Sequence, residues 1–296
     1  MGIILDNNTK VVVQGITGSE ADYWVEKMIE CGTNIVGGVT PNKGGTKVNN
    51  IPVYNSMESL KREHNVDLSV LFVPPKFTKN AAFEAIESGI ETIVILADGV
   101  PIQDILEIKE ISRKYNTRII GPNTPGMIKV GKAMVGFIPF WLKSVYKPGN
   151  IGLMSRSGSL TNIISSKLNN NNIGLSTYVG VGGDPVPGSR FSEIIKLFEE
   201  DPNTDIIIMV GELGGTMEQE VAYLVSNGKV KKPIISYIAG KFAPEGKKMG
   251  HAGAIAHANE GSVDVKNKIL KSVGIHIAQT PTEVGLKAKK IMGEIE

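Results

Sequence analysis

Short apolar runs alternate with amphipathic stretches along almost the whole chain. VVVQ (11–14), NIVGGV (34–39), LSVLFV (68–73), TIVILA (92–97) and TRII (117–120) read as buried strands. Amphipathic stretches near 19–31, 56–63, 78–88 and 103–114 lie between them and read as helices. A βαβα order of this kind predicts a parallel sheet covered by helices on both faces.

The rhythm stops at Met127–Gly149, where Gly131, Gly136, Pro139, Pro148 and Gly149 are interleaved with Phe137, Phe140, Trp141 and Tyr146. This segment reads as an inter-domain connector that packs on a surface. Strand-like runs then resume with NIGLMS (150–155), LSTYVG (175–180), DIIIMV (205–210), PIISYIA (233–239) and a weaker GIHIAQ (274–279). Helices are expected near 158–168, 189–199, 216–226, 264–271 and 281–293. The expected organisation is α/β throughout: one domain over 1–126, a connector over 127–149 and a second domain over 150–296.

Composition changes this picture mainly by exclusion. The 296 residues are 41% hydrophobic and 21% charged, as in an ordinary globular protein. A net charge of +2 argues against a broad nucleic-acid footprint. The single cysteine, Cys31, excludes an intrachain disulfide and points to a reducing cytoplasm. No apolar run reaches the roughly 18 residues of a membrane span, and the opening MGIILDNNTK does not read as a signal peptide.

The first chemical pattern follows the first strand. Gly15, Thr17, Gly18 and Ser19 lie between a strand and a helix, where glycines permit close backbone approach and the helix start attracts a phosphate. On this motif alone, a tight turn capped by Ser19 explains the sequence equally well. GGVTPNKGGTK (37–47) then sets Lys43 among glycines. A dinucleotide fold that prefers NAD offers an acid near this point. A lysine there favours a 3′-phosphorylated adenosine such as CoA. GPNTPG (121–126) ends the fifth strand as a rigid loop with Asn123 at its centre, at the strand edge where ligands bind.

The second pattern is a long loop, AGKFAPEGKKMGHAGAIAHANEG (239–261), in which His251 sits among small residues. His64, His257 and His276 have settings that read as structural or solvated. No His/Cys/Asp cluster at metal-ligand spacing surrounds His251, and SRSGS (155–159) lacks the first glycine of a hydrolase elbow. Phosphoryl transfer to the imidazole fits better, given an acid to orient the ring and a helix start to hold the phosphate. Glu212 in GELGG (211–215) and the Ser157-Gly158-Ser159 turn supply both, each at the carboxyl end of a predicted parallel strand.

Read in order, QGITGSE, VGGVTPNKGGT, GPNTPG, SRSGSLT, VGVGGDPVPGS, GELGG, YIAG and APEGKKMGHAGAI make the chain resemble the α subunits of the succinyl-CoA synthetase family. The resemblance implies a Rossmann-like CoA-binding domain followed by a flavodoxin-like parallel α/β ligase domain. It implies a cytoplasmic acid–CoA ligase that makes an acyl-CoA from acid, CoA and ATP through a phosphohistidine and an acyl phosphate. The implied partner is a β subunit with an ATP-grasp domain, as αβ or α2β2, holding ATP (or GTP) and Mg. The missing G-x-x-x-x-G-K-[ST] loop agrees with that division.

Residue by residue, the resemblance assigns Thr17, Gly18, Ser19, Glu20, Lys43, Leu96, Ala97 and Asp98 to CoA. It assigns His251 to the phosphoryl group, Glu212 to its orientation, and Ser157 and Gly158 to the phosphate. Asn123, Thr124 and Asn162 fall on the substrate side. The chain departs from the family pattern there: Asn162 stands for a substrate-contacting tyrosine, Ile163 for an acid and Thr124 for a cysteine. Asp98 replaces a glutamate, and IPFWLKSVYKPG (138–149) is more apolar than its counterpart. Succinate is the default acid. The alternative is another dicarboxylate or a sulfonated acid such as sulfoacetate, with Lys241 placed to hold a second anionic group. Two further alternatives are a non-catalytic CoA-binding sensor and an NAD-dependent oxidoreductase, against which Lys43 and the incomplete glycine fingerprint both argue.

Overall fold

The apolar runs become strands, and their order in the sheet is what builds the site. The computed structural model describes residues 4–244, 249–252, 254–255 and 261–295. His257 and parts of the APEGKKMGHAGAI run lie outside the described residues. The chain divides into two compact units, Met1–Ile138 with Val186–Ser189, and Pro139–Pro185 with Arg190–Glu296.

The first unit begins with β1 (Lys10–Gln14), α1 (Ser19–Cys31), β2 (Asn34–Val39), β3 (Lys47–Val48) and β4 (Ile51–Tyr54). It continues with α2 (Met57–Lys61), β5 (Leu68–Leu71), α3 (Pro75–Glu87), β6 (Thr92–Ile95), α4 (Ile102–Tyr115) and β7 (Arg118–Ile120). An antiparallel hairpin of β8 (Gly126–Lys129) and β9 (Ala133–Gly136) follows. The sheet order is β3-β4-β2-β1-β5-β6-β7, parallel except for β3. Without β3 this is the Rossmann order, and it reverses direction between β1 and β5, where a crevice opens at the carboxyl ends. Val12, Ile93 and Ile95 from the sheet meet Leu60, Ile86, Ile105 and Ile108 from the helices in one buried core.

The second unit carries β10 (Pro148–Ser155), α5 (Gly158–Asn169), β11 (Leu175–Gly180), α6 (Phe191–Glu200) and β12 (Ile206–Glu212). It ends with α7 (Met217–Ser226), β13 (Ile234–Ala239), α8 (Val263–Ser272), β14 (His276–Ala278) and α9 (Pro281–Ile295). Its parallel strands run β14-β13-β12-β10-β11, the flavodoxin-like order, with the reversal between β10 and β12. Every residue of β12 is buried, as expected of a strand covered on both faces. On α6, Phe191, Ile194, Ile195 and Phe198 recur at helical spacing and are all buried. Truncating Phe198 to alanine there would cost about 3–5 kcal/mol.

Differences from the expected elements have local causes. The helix expected from residue 78 begins at Pro75, because proline at the first helical position loses no needed N–H. The strand expected over 68–73 therefore ends at Leu71. Ile51–Tyr54 is too short and proline-interrupted to read as a strand, yet it pairs with β2. Gly126 and Gly136, read as loop glycines, face each other across the β8–β9 hairpin. No helix of the described residues is long and apolar enough to cross a membrane.

Candidate active site

In the first unit the anion-type residues lie at the carboxyl edge of the sheet. Gly15 leaves β1 with φ +82, and a Cβ there would sit 2.4 Å from the Phe72 carbonyl oxygen beyond β5. Only glycine passes this point. Gly18, not Ser19, occupies the N-cap of α1, and no side chain caps that helix. The turn is thus not closed by Ser19 on itself; its first-turn N–H groups stay available to a ligand. Thr17, Gly18, Ser19 and Glu20 are exposed, and Thr17 Oγ1 lies 3.4 Å from Thr40 Oγ1, which ties this turn to the loop of Lys43. Lys43 is exposed.

Leu96, Ala97 and Asp98 follow β6, with Leu96 buried and Asp98 exposed. The Ala97 carbonyl accepts from the Asn123 N–H at 2.8 Å, so the loops after β6 and β7 are joined. Asn123 has φ 57, a left-handed conformation that asparagine tolerates. Thr124 is buried, and its hydroxyl accepts from the Gly126 N–H at 3.0 Å.

In the second unit the reversal between β10 and β12 brings the other candidates together. Ser155 pairs with Val210, so the two strand ends are neighbours about 4.8 Å apart. One leads into Arg156, Ser157 and Gly158, and the other ends at Glu212. His251 Nδ1 lies 2.6 Å from Glu212 Oε2. The other carboxylate oxygen, Oε1, is 2.8 Å from Arg156 Nη1. A carboxylate only accepts, so in the neutral imidazole Nδ1 carries the proton and Nε2 keeps its lone pair. A Cβ on Gly183 would stand 2.4–2.6 Å from Cδ2, Cγ and Nε2 of His251, so the ring is seated directly on that glycine.

Arg156, 6% exposed, ties these parts to each other. Besides its ion pair with Glu212, it donates hydrogen bonds to the carbonyl oxygens of Gly182, Gly183 and Asp184 at 2.9–3.2 Å. It therefore holds both the acid that contacts His251 and the loop on which the ring rests. Ser157 is the N-cap of α5, its hydroxyl accepting from Leu160 N–H at 3.3 Å. The preceding first-turn N–H groups, starting at Gly158, are left for an anion. Asn162, one turn into α5, accepts through Oδ1 from the Tyr146 hydroxyl at 2.6 Å. Burial first, and the neighbouring Tyr178 second, push the Tyr146 phenol well above its ordinary range, so it remains a neutral donor. Lys241 is exposed, and its ammonium donates to Gln279 Oε1 at 3.1 Å.

Arg156, Gly183, Glu218 and Lys266 were not among the expected site residues. The last two carried a legible signal. Lys266 falls on the same stripe of α8 as the buried Val263 and Leu270, and Glu218 on that of α7 with Val221 and Ala222. A charge on an apolar stripe calls for a buried partner, and these two pair with each other.

The CoA binding domain family matches residues 6–99 and the CoA-ligase family residues 154–276. An ADP-forming sulfoacetate–CoA ligase subunit from an Acholeplasma species is 47% identical over 285 residues, 96% of either chain. The chain belongs to the ADP-forming CoA-ligase family. Another relative of this ligase is an ADP-forming succinate–CoA ligase α subunit of Archaeoglobus fulgidus, 41% identical over 292 residues and 99% of each chain. Both relatives are named as subunits of their enzymes. Among solved structures, ATP citrate lyase from Methanosaeta concilii in complex with (3S)-citryl-CoA is similar with a TM-score of 0.88 at 25% identity. That match covers 99% of the ligase chain and 51% of the lyase chain, so the ligase spans about half the lyase's length.

Proposed function

We propose that this ligase subunit carries the phosphoryl group on His251 Nε2 between a nucleotide held by its partner and a small acid. The observation that carries the reading is the 2.6 Å bond from Nδ1 to a buried, arginine-paired Glu212, which fixes the nucleophilic tautomer. Nε2 attacks the γ-phosphorus of ATP, and ADP leaves. A carboxylate oxygen of the acid then attacks the phosphorus, freeing His251 and forming an acyl phosphate. The CoA thiolate attacks the acyl carbon and phosphate leaves, giving the thioester. Ser157 and Gly158 at the start of α5 suit the transferring phosphate. The α1 start at Gly18–Glu20, with Lys43 and Leu96–Asp98, suits CoA. The implied β subunit, with an ATP-grasp domain, holds ATP (or GTP) and Mg. Incubation of both subunits with γ-labelled ATP tests this: acid-labile label should enter the wild type and not His251→Ala, and equal labelling would refute it.

The acid we favour is sulfoacetate, with succinate as the second reading. Curated sulfoacetate ligase subunits at 47% and 45% identity support this, as does Asn162. The Tyr146 hydroxyl occupies Asn162 Oδ1, which turns the amide Nδ2 and its two N–H groups away as donors for an anionic head. Asn162 is four residues from Gly158 on α5, on the face that carries the phosphate-binding start. Thioester formation by the reconstituted pair should show higher kcat/KM for sulfoacetate than for succinate; the reverse preference returns the assignment to succinate.

A further inference from the structure

Glu212 can orient His251 only if its own main chain is fixed, and it is the last residue of β12. Two buried charges outside the expected site hold it. Lys266 of α8 is 0% exposed and Glu218 of α7 is 1% exposed. The Lys266 ammonium donates to the Glu212 carbonyl oxygen at 2.8 Å, to the Gly214 carbonyl oxygen at 2.7 Å and to Glu218 Oε2. Its three N–H groups thus meet three acceptors. The second carboxylate oxygen, Glu218 Oε1, accepts from the Glu212 N–H at 3.2 Å. Both polar groups of the Glu212 peptide backbone are therefore bonded to one ion pair.

This arrangement is unfavourable to build for stability alone. Burial lowers the basicity of Lys266, opposed by the Glu218 charge, and a pair of this kind is often replaced by apolar residues without loss of stability. Gly211 makes room for it: a Cβ there would stand 2.2 Å from Glu218 Oε1. The glycine before Glu212 thus admits the carboxylate to the strand.

We propose that Lys266 and Glu218 are positioning residues for phosphoryl transfer: they clamp the main chain at Glu212 so that its carboxylate meets His251 Nδ1 and Arg156 together. The inference rests on His251 as the phosphoryl carrier. Neither residue touches the reacting atoms; each acts through Glu212. Without the clamp, Glu212 loses its fixed direction, the imidazole exchanges between tautomers, and the fraction with a free Nε2 falls.

The test replaces the pair by apolar residues of similar volume, Lys266→Met with Glu218→Leu, in the reconstituted two-subunit enzyme. Single-turnover labelling with γ-labelled ATP gives the rate of phosphohistidine formation. Thermal unfolding gives the stability, and nitrogen NMR of histidine-labelled protein gives the tautomer of His251. The expected result is a folded protein whose thermal midpoint falls because three main-chain groups lose these partners, a labelling rate lower by roughly 100-fold, an unchanged KM for ATP and a rise of the Nε2–H tautomer. A folded double variant that labels at the wild-type rate with the wild-type tautomer overturns the proposal. If the double variant does not fold, Glu218→Gln decides by the same two readouts, since it keeps the shape and an acceptor for Glu212 N–H while removing the charge. A slower rate with a shifted tautomer supports the clamp, and wild-type behaviour overturns it. Wild-type enzyme that takes no label at all, like His251→Ala, would instead overturn the phosphohistidine reading.

Discussion

Gly183→Ala adds one methyl group, and its effect follows from three distances. The new Cβ would lie 2.4 Å from His251 Cδ2 and 2.6 Å from both Cγ and Nε2. Near-equal distances to three ring atoms place the methyl over the face of the imidazole, not at its edge. Carbon–carbon contacts relax only at about 3.5–4.0 Å, so ring and methyl must separate by roughly 1 Å. The Gly183 main chain cannot supply that movement cheaply, because its carbonyl oxygen accepts from buried Arg156 at 3.1 Å. The ring moves instead. A retreat along its normal tips the Nδ1–H bond out of line with Glu212 Oε2 and carries Nε2 the same distance off its line of attack.

Misplacement by about 1 Å costs roughly 10²-fold in rate, equivalent to about 2.7 kcal/mol of barrier. His251 is 26% exposed through its side chain, so it has room to move and the fold should survive. The assay is single-turnover formation of acid-labile phosphate with the partner subunit and γ-labelled ATP, beside a thermal melt. The expected outcome is labelling slowed about 100-fold with an unshifted midpoint. Labelling within about threefold of wild type would show that the seat on Gly183 does not set the ring, and the geometric argument would fail.

Arg156→Met leaves the buried Glu212 carboxylate unpaired and three loop carbonyls without their donor; urea unfolding should report a loss of about 3–5 kcal/mol. Lys43→Ala should raise KM for CoA about tenfold, the value of one charge-assisted contact, while the CoA-independent labelling of His251 stays at the wild-type rate. Burial pushes the Cys31 thiol up to about 11, so at pH 8 a disulfide reagent should modify it roughly 100-fold more slowly than a free cysteine of pKa about 8.5. The sign for stability follows: the folded thiol keeps its proton where the unfolded one has lost it. Its stabilising contribution is complete below about pH 8.5 and is lost as pH rises toward 11, visible as a falling thermal midpoint.

The parts of this molecule legible in the sequence are those where one residue type answers one local demand. Buried parallel strands need continuous apolar runs, and 206–212 announces itself that way. Small residues around His251 and an acid closing a strand are likewise local signals. What the sequence pattern hid depends on pairs of residues far apart in the chain. Gly183 reads as one more loop glycine until His251, 68 positions later, is found lying on it. Arg156 reads as one residue of the SRSGS turn until Glu212 meets it across the β10–β12 reversal. Lys266 and Glu218 break the apolar stripes of two different helices, and each break is explained only by the other. The β10–β12 reversal accounts for the Arg156–Glu212 pair: it places β12 beside β10, although β11 comes between them in sequence, and so joins loops that local patterning treats as unrelated. The Tyr146–Asn162 bond has this character too. An aromatic connector and a substituted helix residue are separate departures from the family pattern in the sequence, and one 2.6 Å hydrogen bond joins them into a single local change.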